Sequence, residues 1–167
     1  MTISKSPVVT AYLGLGSNLA SPLEQLKSAR AAIAATVGIK ERAFSSLYHS
    51  LPMGPQDQPD YVNAVMAIDT ELSVLDLLQS LQVIENAHGR CRAGERWGAR
   101  TLDLDILMYG DQQIDLPMLT VPHPGIAERS FVLYPWHEIA PELSIPGKGQ
   151  LTDLLANCSL AGLKRLD

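Results

Sequence analysis

The order of its regular elements is the feature that most constrains how this chain folds. Two helices have clear start signals, the capping boxes Ser21-x-x-Glu24 and Ser73-x-x-Asp76. Short β-branched or alternating runs predict strands before, between and after them, at 8–15, 41–48, 61–70 and 101–109. The order strand, helix, strand, strand, helix, strand predicts an α+β, ferredoxin-like fold with an antiparallel sheet and helices packed on its faces.

Glycines and later apolar segments refine this expectation. Gly14 and Gly16 are expected to end the first strand, and Gly110-Asp111 predicts a hairpin turn into a short strand near residue 113. Helical segments around Phe131 and Leu151 are expected to cover the remaining face of the sheet.

Length and composition predict one globular domain over residues 1–167, since 46% of the residues are apolar and 19% are charged. The net charge of −5 argues against general binding to nucleic acid or to anionic membranes. The chain has two cysteines, no signal-peptide pattern and no apolar run of about 18 residues that could span a bilayer. We therefore expect a cytoplasmic protein.

The pair Asp103-x-Asp105 lies in the last predicted strand. Residues two apart on a strand point to the same face, roughly 6.6–7 Å apart at Cα. Two such carboxylates can hold one divalent ion or bridge two. An isolated D-x-D pair is more often the solvated face of a half-buried strand, so its neighbours decide the interpretation.

Arginines are concentrated just before this strand. Arg90, Arg92, Arg96 and Arg100 are four of the chain's 13 basic residues. Guanidinium groups bind phosphate oxygens, often with two parallel hydrogen bonds, so carboxylates and arginines together indicate a site for a metal–polyphosphate complex. Trp97 lies among them between two glycines, where it either closes over a planar ligand or packs on the core.

Other nucleotide-binding motifs are absent or weak. The chain has no G-x-x-x-x-G-K-[ST] loop and no protein-kinase signature. Gly14-x-Gly16 is a weak match to a dinucleotide fingerprint, but Leu19 occupies its third glycine position and no repeated βαβ units follow.

Several longer motifs together resemble one family. They are YLGLGSNL at 12–19, PMGPQ at 52–56, YVNA at 61–64, RWGARTLDLDI at 96–106 and VPHP at 121–124. With them the chain is similar, nearly end to end, to the 6-hydroxymethyl-7,8-dihydropterin pyrophosphokinases of folate biosynthesis. This resemblance implies Mg²⁺-dependent transfer of the pyrophosphoryl group of ATP to the hydroxymethyl group of the reduced pterin, with release of AMP.

The same resemblance assigns roles to individual residues. It implies that Asp103 and Asp105 ligate two magnesium ions and that Arg90 and Arg92 join them in catalysis. Tyr61 and Phe131 would stack on the pterin, with further pterin contacts from Ser50, Met53, Gly54, Asn63 and Trp97. ATP contacts are implied for Gln82, Glu85, Arg92, Trp97, Arg100, His123 and Arg129. The implied partners are these small molecules, and we expect a monomer.

Two rival interpretations remain at this point. The first is a ferredoxin-like RNA-binding module in which Tyr61 and Phe131 stack on bases, against which the acidic net charge counts. The second is an inactive relative of the pyrophosphokinases, against which the intact Asp103, Asp105 and Asn63 count.

Overall fold

The structure is a computed structural model that describes residues 7–17, 22–50, 61–88, 102–158 and 163–166. The elements of the first part are β1 (Val9–Ser17), α1 (Pro22–Ala34), β2 (Ile39–Phe44), β3 (Leu47–Ser50), β4 (Tyr61–Thr70), α2 (Val74–Ala87) and β5 (Asp103–Tyr109). Those that follow are β6 (Ile114–Leu116), β7 (Leu119–Val121), α3 (Ser130–Ile139), β8 (Ser144–Ile145), β9 (Gly149–Gln150), α4 (Leu151–Ala156) and β10 (Lys164–Leu166).

The main sheet is antiparallel throughout. Strand β4 pairs with β2 and β3 on one side and with β1 on the other, β1 pairs with β5, and β10 extends the sheet beyond β3. The first six predicted elements therefore adopt the connectivity of the ferredoxin-like fold, and the predicted α+β class is confirmed.

Helices cover both faces of the sheet. Side chains of α1 and α2, such as Leu26 and Leu81, pack on one face against alternate strand residues, including Leu13, Ala64 and Ile106. On the other face, α3 and α4 pack around a second cluster: Val65, Leu107, Met108, Ile126, Val132, Leu133, Trp136, Ile145 and Leu151. Because both faces are covered, β4 is buried along nearly its whole length.

The N-terminus of α2 follows its sequence signal. The Ser73 side chain accepts a hydrogen bond from the Asp76 backbone amide at 3.2 Å, so the predicted cap is confirmed. No helix in the described part of the chain is long and apolar enough to cross a membrane.

The prediction that Gly14 and Gly16 end the first strand is wrong. Strand β1 continues through both glycines to Ser17, and each has a partner on β4 and on β5. They lie on the face covered by α3, where the lack of a side chain leaves room for Leu107 beside Gly14 and for Asn63 beside Gly16.

Two smaller boundary predictions also need correction. The strand predicted at 41–48 is two strands, separated at Ser45-Ser46, where the Ser45 hydroxyl accepts a hydrogen bond from the Val65 amide at 2.9 Å. The chain does turn at Gly110-Asp111, but β6 pairs with β7 in a separate sheet and forms no hairpin with β5.

Candidate active site

The two aspartates of β5 project from the sheet face that α3 covers. Leu104 and Ile106 belong to the cluster on the opposite face, so Asp103 and Asp105 point the other way, and both are half-buried. Their cross-strand partners on β1 are Gly16 and Gly14. Because glycine has no side chain, β1 adds none beside the two carboxylates, and the side chains of Asn63 and Leu107 lie over Gly16 and Gly14.

Asn63 lies in the same row, one strand further across the sheet. Gly16 of β1 pairs with Asn63 of β4 on one side and with Asp103 of β5 on the other. Asn63 is buried, and its Nδ2 donates a hydrogen bond to Oγ of Ser50 at 2.6 Å. That bond assigns the amide orientation and directs Oδ1 over the space above Gly16.

Tyr61 completes the strand side of the site. It follows the same alternation as Asn63, and its ring edge lies 3.8 Å from the position that a Cβ on Gly16 would occupy. The structure thus brings together four predicted residues on one sheet face: Tyr61, Asn63, Asp103 and, through its hydroxyl, Ser50.

His123 is held against β5 from the opposite side of the site. Its backbone amide donates to the carbonyl of Leu107 at 3.1 Å, and the amide of Gly125 donates to its Nδ1, also at 3.1 Å. Nδ1 is therefore the acceptor nitrogen of a neutral imidazole whose proton is on Nε2. A neutral His123 presents Nε2–H as a hydrogen-bond donor.

The surroundings of His123 favour that neutral form. Burial lowers the pKa of its imidazole below the ordinary value, and the charge of Arg129 lowers it further. The charge of Asp103 raises the pKa of His123, against this shift, whereas the charge of Lys148 lowers it. His123 thus lies within electrostatic reach of one of the strand-borne carboxylates and of two cations.

Those two cations approach from different segments. The guanidinium of Arg129 stands 5.8 Å from the ring centre of Phe131, within the range of a cation–π contact. Its Nε lies 2.9 Å from where a Cβ on Gly125 would be, so glycine at that position makes room for it. Lys148 lines a cleft of about 280 Å³ with Thr120 and Pro122.

Glu85, an expected ATP contact, has a structural partner. Its side chain is buried, and Oε2 accepts a hydrogen bond from the backbone amide of Leu104, between the two aspartates, at 2.8 Å. Gln82, one helical turn earlier, is exposed on α2. Glu85 therefore helps to fix the strand that carries Asp103 and Asp105.

Six of the predicted site residues lie outside the described part of the chain: Met53, Gly54, Arg90, Arg92, Trp97 and Arg100.

The donors present suit magnesium better than a metal held by protein alone. No cluster of three or more acidic, histidine or cysteine ligands occurs among the described residues. Mg²⁺ is commonly bound through one or two carboxylates, with waters and substrate phosphates completing its shell. Asp103 and Asp105, half-buried on one sheet face opposite two glycines of β1, fit that donor set.

Sequence reasoning missed the part played by two glycines of β1. It considered Gly14-x-Gly16 only as a dinucleotide motif and as a strand end. Two glycines spaced two apart within a strand leave one face of that strand without side chains. This spacing is the sequence signal that indicates the site.

The chain is similar to known proteins along nearly its whole length. The family described as 7,8-dihydro-6-hydroxymethylpterin-pyrophosphokinase matches residues 12–141. A 2-amino-4-hydroxy-6-hydroxymethyldihydropteridine pyrophosphokinase of Pseudomonas aeruginosa is 51% identical over 93% of this chain and 95% of its own length. The protein of the same name from Haemophilus influenzae is 52% identical over 89% of this chain and 92% of its own.

A solved structure supports the fold. The Plasmodium falciparum HPPK-DHPS crystal structure with pteroate superposes on 93% of this chain with a TM-score of 0.74 at 13% identity. This chain spans 43% of that longer one. At such low identity the likeness concerns the fold alone.

Proposed function

Since this chain belongs to the 7,8-dihydro-6-hydroxymethylpterin-pyrophosphokinase family, we propose that it transfers the pyrophosphoryl group of ATP to 6-hydroxymethyl-7,8-dihydropterin, a step of tetrahydrofolate biosynthesis. One observation in particular supports this assignment. Asp103, Gly16 and Asn63 form a continuous row across three strands, so a carboxylate and an oriented amide lie on one sheet face with only a glycine between them. A metal-bound polyphosphate and a flat, polar-edged ring can then bind side by side.

The pterin is assigned to the Asn63 end of that row. Its ring has apolar faces and an amide-like edge, so it needs stacking partners and in-plane hydrogen bonds. Oδ1 of Asn63 supplies an acceptor, because Ser50 occupies the amide nitrogen of the same side chain. Tyr61 and Phe131 are the proposed stacking partners, with Met53, Gly54 and Trp97 as further contacts.

Asp103 and Asp105 are the proposed ligands of two magnesium ions. When bound, these ions would supply positive charge that neutralises phosphate oxygens. Carboxylate oxygens are the donors that magnesium prefers, and both side chains reach the same face beside Gly14 and Gly16.

The proposed reaction is an in-line displacement at the β-phosphorus of ATP. The hydroxymethyl oxygen of the pterin forms a bond to the β-phosphorus, and the bond from that phosphorus to the α,β-bridging oxygen breaks. AMP leaves with the bridging oxygen, and the hydroxyl proton is released. Phosphoryl-type transition states are loose, so the protein contributes mainly position and charge.

The described residues account for part of that contribution. Nε2–H of His123 is the proposed donor to a phosphate oxygen, and Arg129 is the proposed cation beside it. Arg90, Arg92 and Arg100 are proposed to bind the remaining phosphate oxygens, and Gln82 and Glu85 to approach the nucleotide. We assign residues 1–167 to one pyrophosphokinase domain that acts as a monomer.

Mass spectrometry of the pterin product tests this function. The purified protein is incubated with ATP, MgCl₂ and 6-hydroxymethyl-7,8-dihydropterin, with an EDTA-treated reaction as control. We expect the diphosphate ester of the pterin in the first reaction and unchanged pterin in the second. A monophosphate ester, or no ester while circular dichroism shows a folded protein, would contradict the proposal.

A further inference from the structure

The carboxylate of Glu138 on α3 is bound at both oxygens by residues of β3 and of the short segment before it. The hydroxyl of Tyr48 donates to Oε1 of Glu138 at 2.6 Å. The backbone amide of Ser46 donates to Oε2 at 2.8 Å, and the Ser46 hydroxyl donates to the same oxygen at 3.0 Å. Hydrogen bonds to a carboxylate are stronger than those between neutral groups, so these contacts fix α3 relative to β3.

Both partners keep the protonation state that this arrangement needs. Burial and the hydrogen bond to Glu138 raise the pKa of Tyr48 to about 12, so Tyr48 remains a donor. Burial raises the pKa of Glu138, but the hydrogen bonds from Tyr48 and Ser46 outweigh it, and the net shift is downward. The charge of Arg165, the β10 partner of Tyr48, acts in the same direction.

This contact joins the two walls of the proposed pterin site. Tyr48 is the direct β3 partner of Asn63, and Ser50, two residues later, holds the Asn63 amide. On the helix, Glu138 follows Phe131 by seven residues, which is two turns, so both lie on nearly the same side of α3. The strand wall carries Asn63 and the helix wall carries Phe131.

Resting on the proposed function, we propose that Tyr48 is a positioning residue for the pterin. Through Glu138 it sets the rotation and distance at which α3 presents Phe131 above the strands that carry Asn63. Ligand stacking depends on that distance. His123 precedes the helix and is held by hydrogen bonds with Leu107 and Gly125, so its phosphate contact does not depend on the far end of α3.

The apolar contacts of α3 make the proposal testable without unfolding the protein. The helix residues Val132, Leu133 and Trp136 are buried in the second cluster. Their apolar contacts do not include the Tyr48 hydroxyl. Removing that hydroxyl therefore loosens the position of the helix while its attachment to the sheet remains.

The test is steady-state kinetics of Tyr48→Phe, Glu138→Gln and the double variant. We expect Tyr48→Phe to raise KM for the pterin about five- to tenfold and to leave KM for ATP within about twofold of wild type. Glu138→Gln should act in the same direction. The double variant should be no worse than the more affected single variant, because the hydrogen bond lost in Tyr48→Phe is one of those that Glu138→Gln also alters.

Thr10→Val is the matched control. Thr10 lies on β1, six residues before Gly16, and its hydroxyl donates a hydrogen bond to Asp69 at 2.9 Å. The substitution removes that hydroxyl. We expect it to lower the melting temperature without changing KM for the pterin. An unchanged pterin KM in Tyr48→Phe, or an equal rise in both KM values, would overturn the positioning role while the proposed function stands. Failure of the wild-type protein to convert the pterin would overturn both.

Discussion

Gly16 and Asn63 are direct partners on neighbouring strands, and a methyl group on Gly16 would lie 2.9 Å from Oδ1 of Asn63. Because that distance is too short for a carbon–oxygen contact, Gly16→Ala must displace the Asn63 side chain. We expect pterin affinity to fall about tenfold, the loss of one good hydrogen bond. The free energy of unfolding should fall by about 1–3 kcal/mol from overpacking.

Gly14→Ala is the control for this change. Its added methyl group would lie 3.4 Å from Leu107, at ordinary contact distance. We expect its pterin affinity, measured by titration calorimetry, to stay within about twofold of wild type. Equal pterin affinities for Gly16→Ala and wild type would show that Asn63 does not bind the ring.

Replacing either aspartate of β5 with asparagine should abolish most of the activity. Asp103→Asn and Asp105→Asn each keep the side-chain shape but remove a charge from the proposed magnesium site. We expect kcat to fall about 10²- to 10³-fold or more, with little change in melting temperature. Asp115→Asn, an exposed change on β6, is the control and should keep wild-type kcat. Near-normal turnover of both site variants at saturating Mg²⁺ would show that the Asp103 and Asp105 carboxylates are not ligands of the metal.

The neutral state of His123 can be measured directly. Its imidazole pKa, followed by NMR through a pH titration, should lie below the ordinary histidine value because of burial and the charge of Arg129. Arg129→Gln removes one cause of the lowering and should raise the pKa. A His123 pKa at or above the ordinary value in the wild type would contradict the lowering assigned to burial and to the charge of Arg129.

The same shift predicts how stability depends on pH. Between the lowered pKa of folded His123 and the ordinary value, the unfolded chain binds a proton at this position that the folded chain does not. His123 therefore makes the free energy of unfolding decrease as pH falls through this window, and it has no effect at higher pH. His123→Gln should reduce that decrease in urea titrations at a series of pH values. An unchanged pH slope would contradict the assignment.

Local patterns were sufficient to predict the class of fold and the shared face of the two aspartates of β5. The cap at Ser73 and the alternation through Val62, Ala64 and Met66 report interactions between residues close in sequence, so they can be read directly. Asp103 and Asp105 were predicted to share a face because strand geometry alone determines it.

Features that depend on distant partners were not predicted. β1 continues through Gly14 and Gly16 because β4 and β5 supply hydrogen bonds on both sides, which outweighs the low strand preference of glycine. The contact between Tyr48 and Glu138 joins residues 90 positions apart. No local periodicity carries information about such a pair.

The identity of the nucleotide product tests the central claim most directly. The wild-type protein is incubated with ATP, Mg²⁺ and 6-hydroxymethyl-7,8-dihydropterin, and the nucleotides are separated by ion-exchange chromatography at several time points. Attack at the β-phosphorus predicts AMP in a one-to-one ratio with the pterin consumed and no accumulation of ADP. ADP as the main product would place the attack at the γ-phosphorus and contradict pyrophosphoryl transfer.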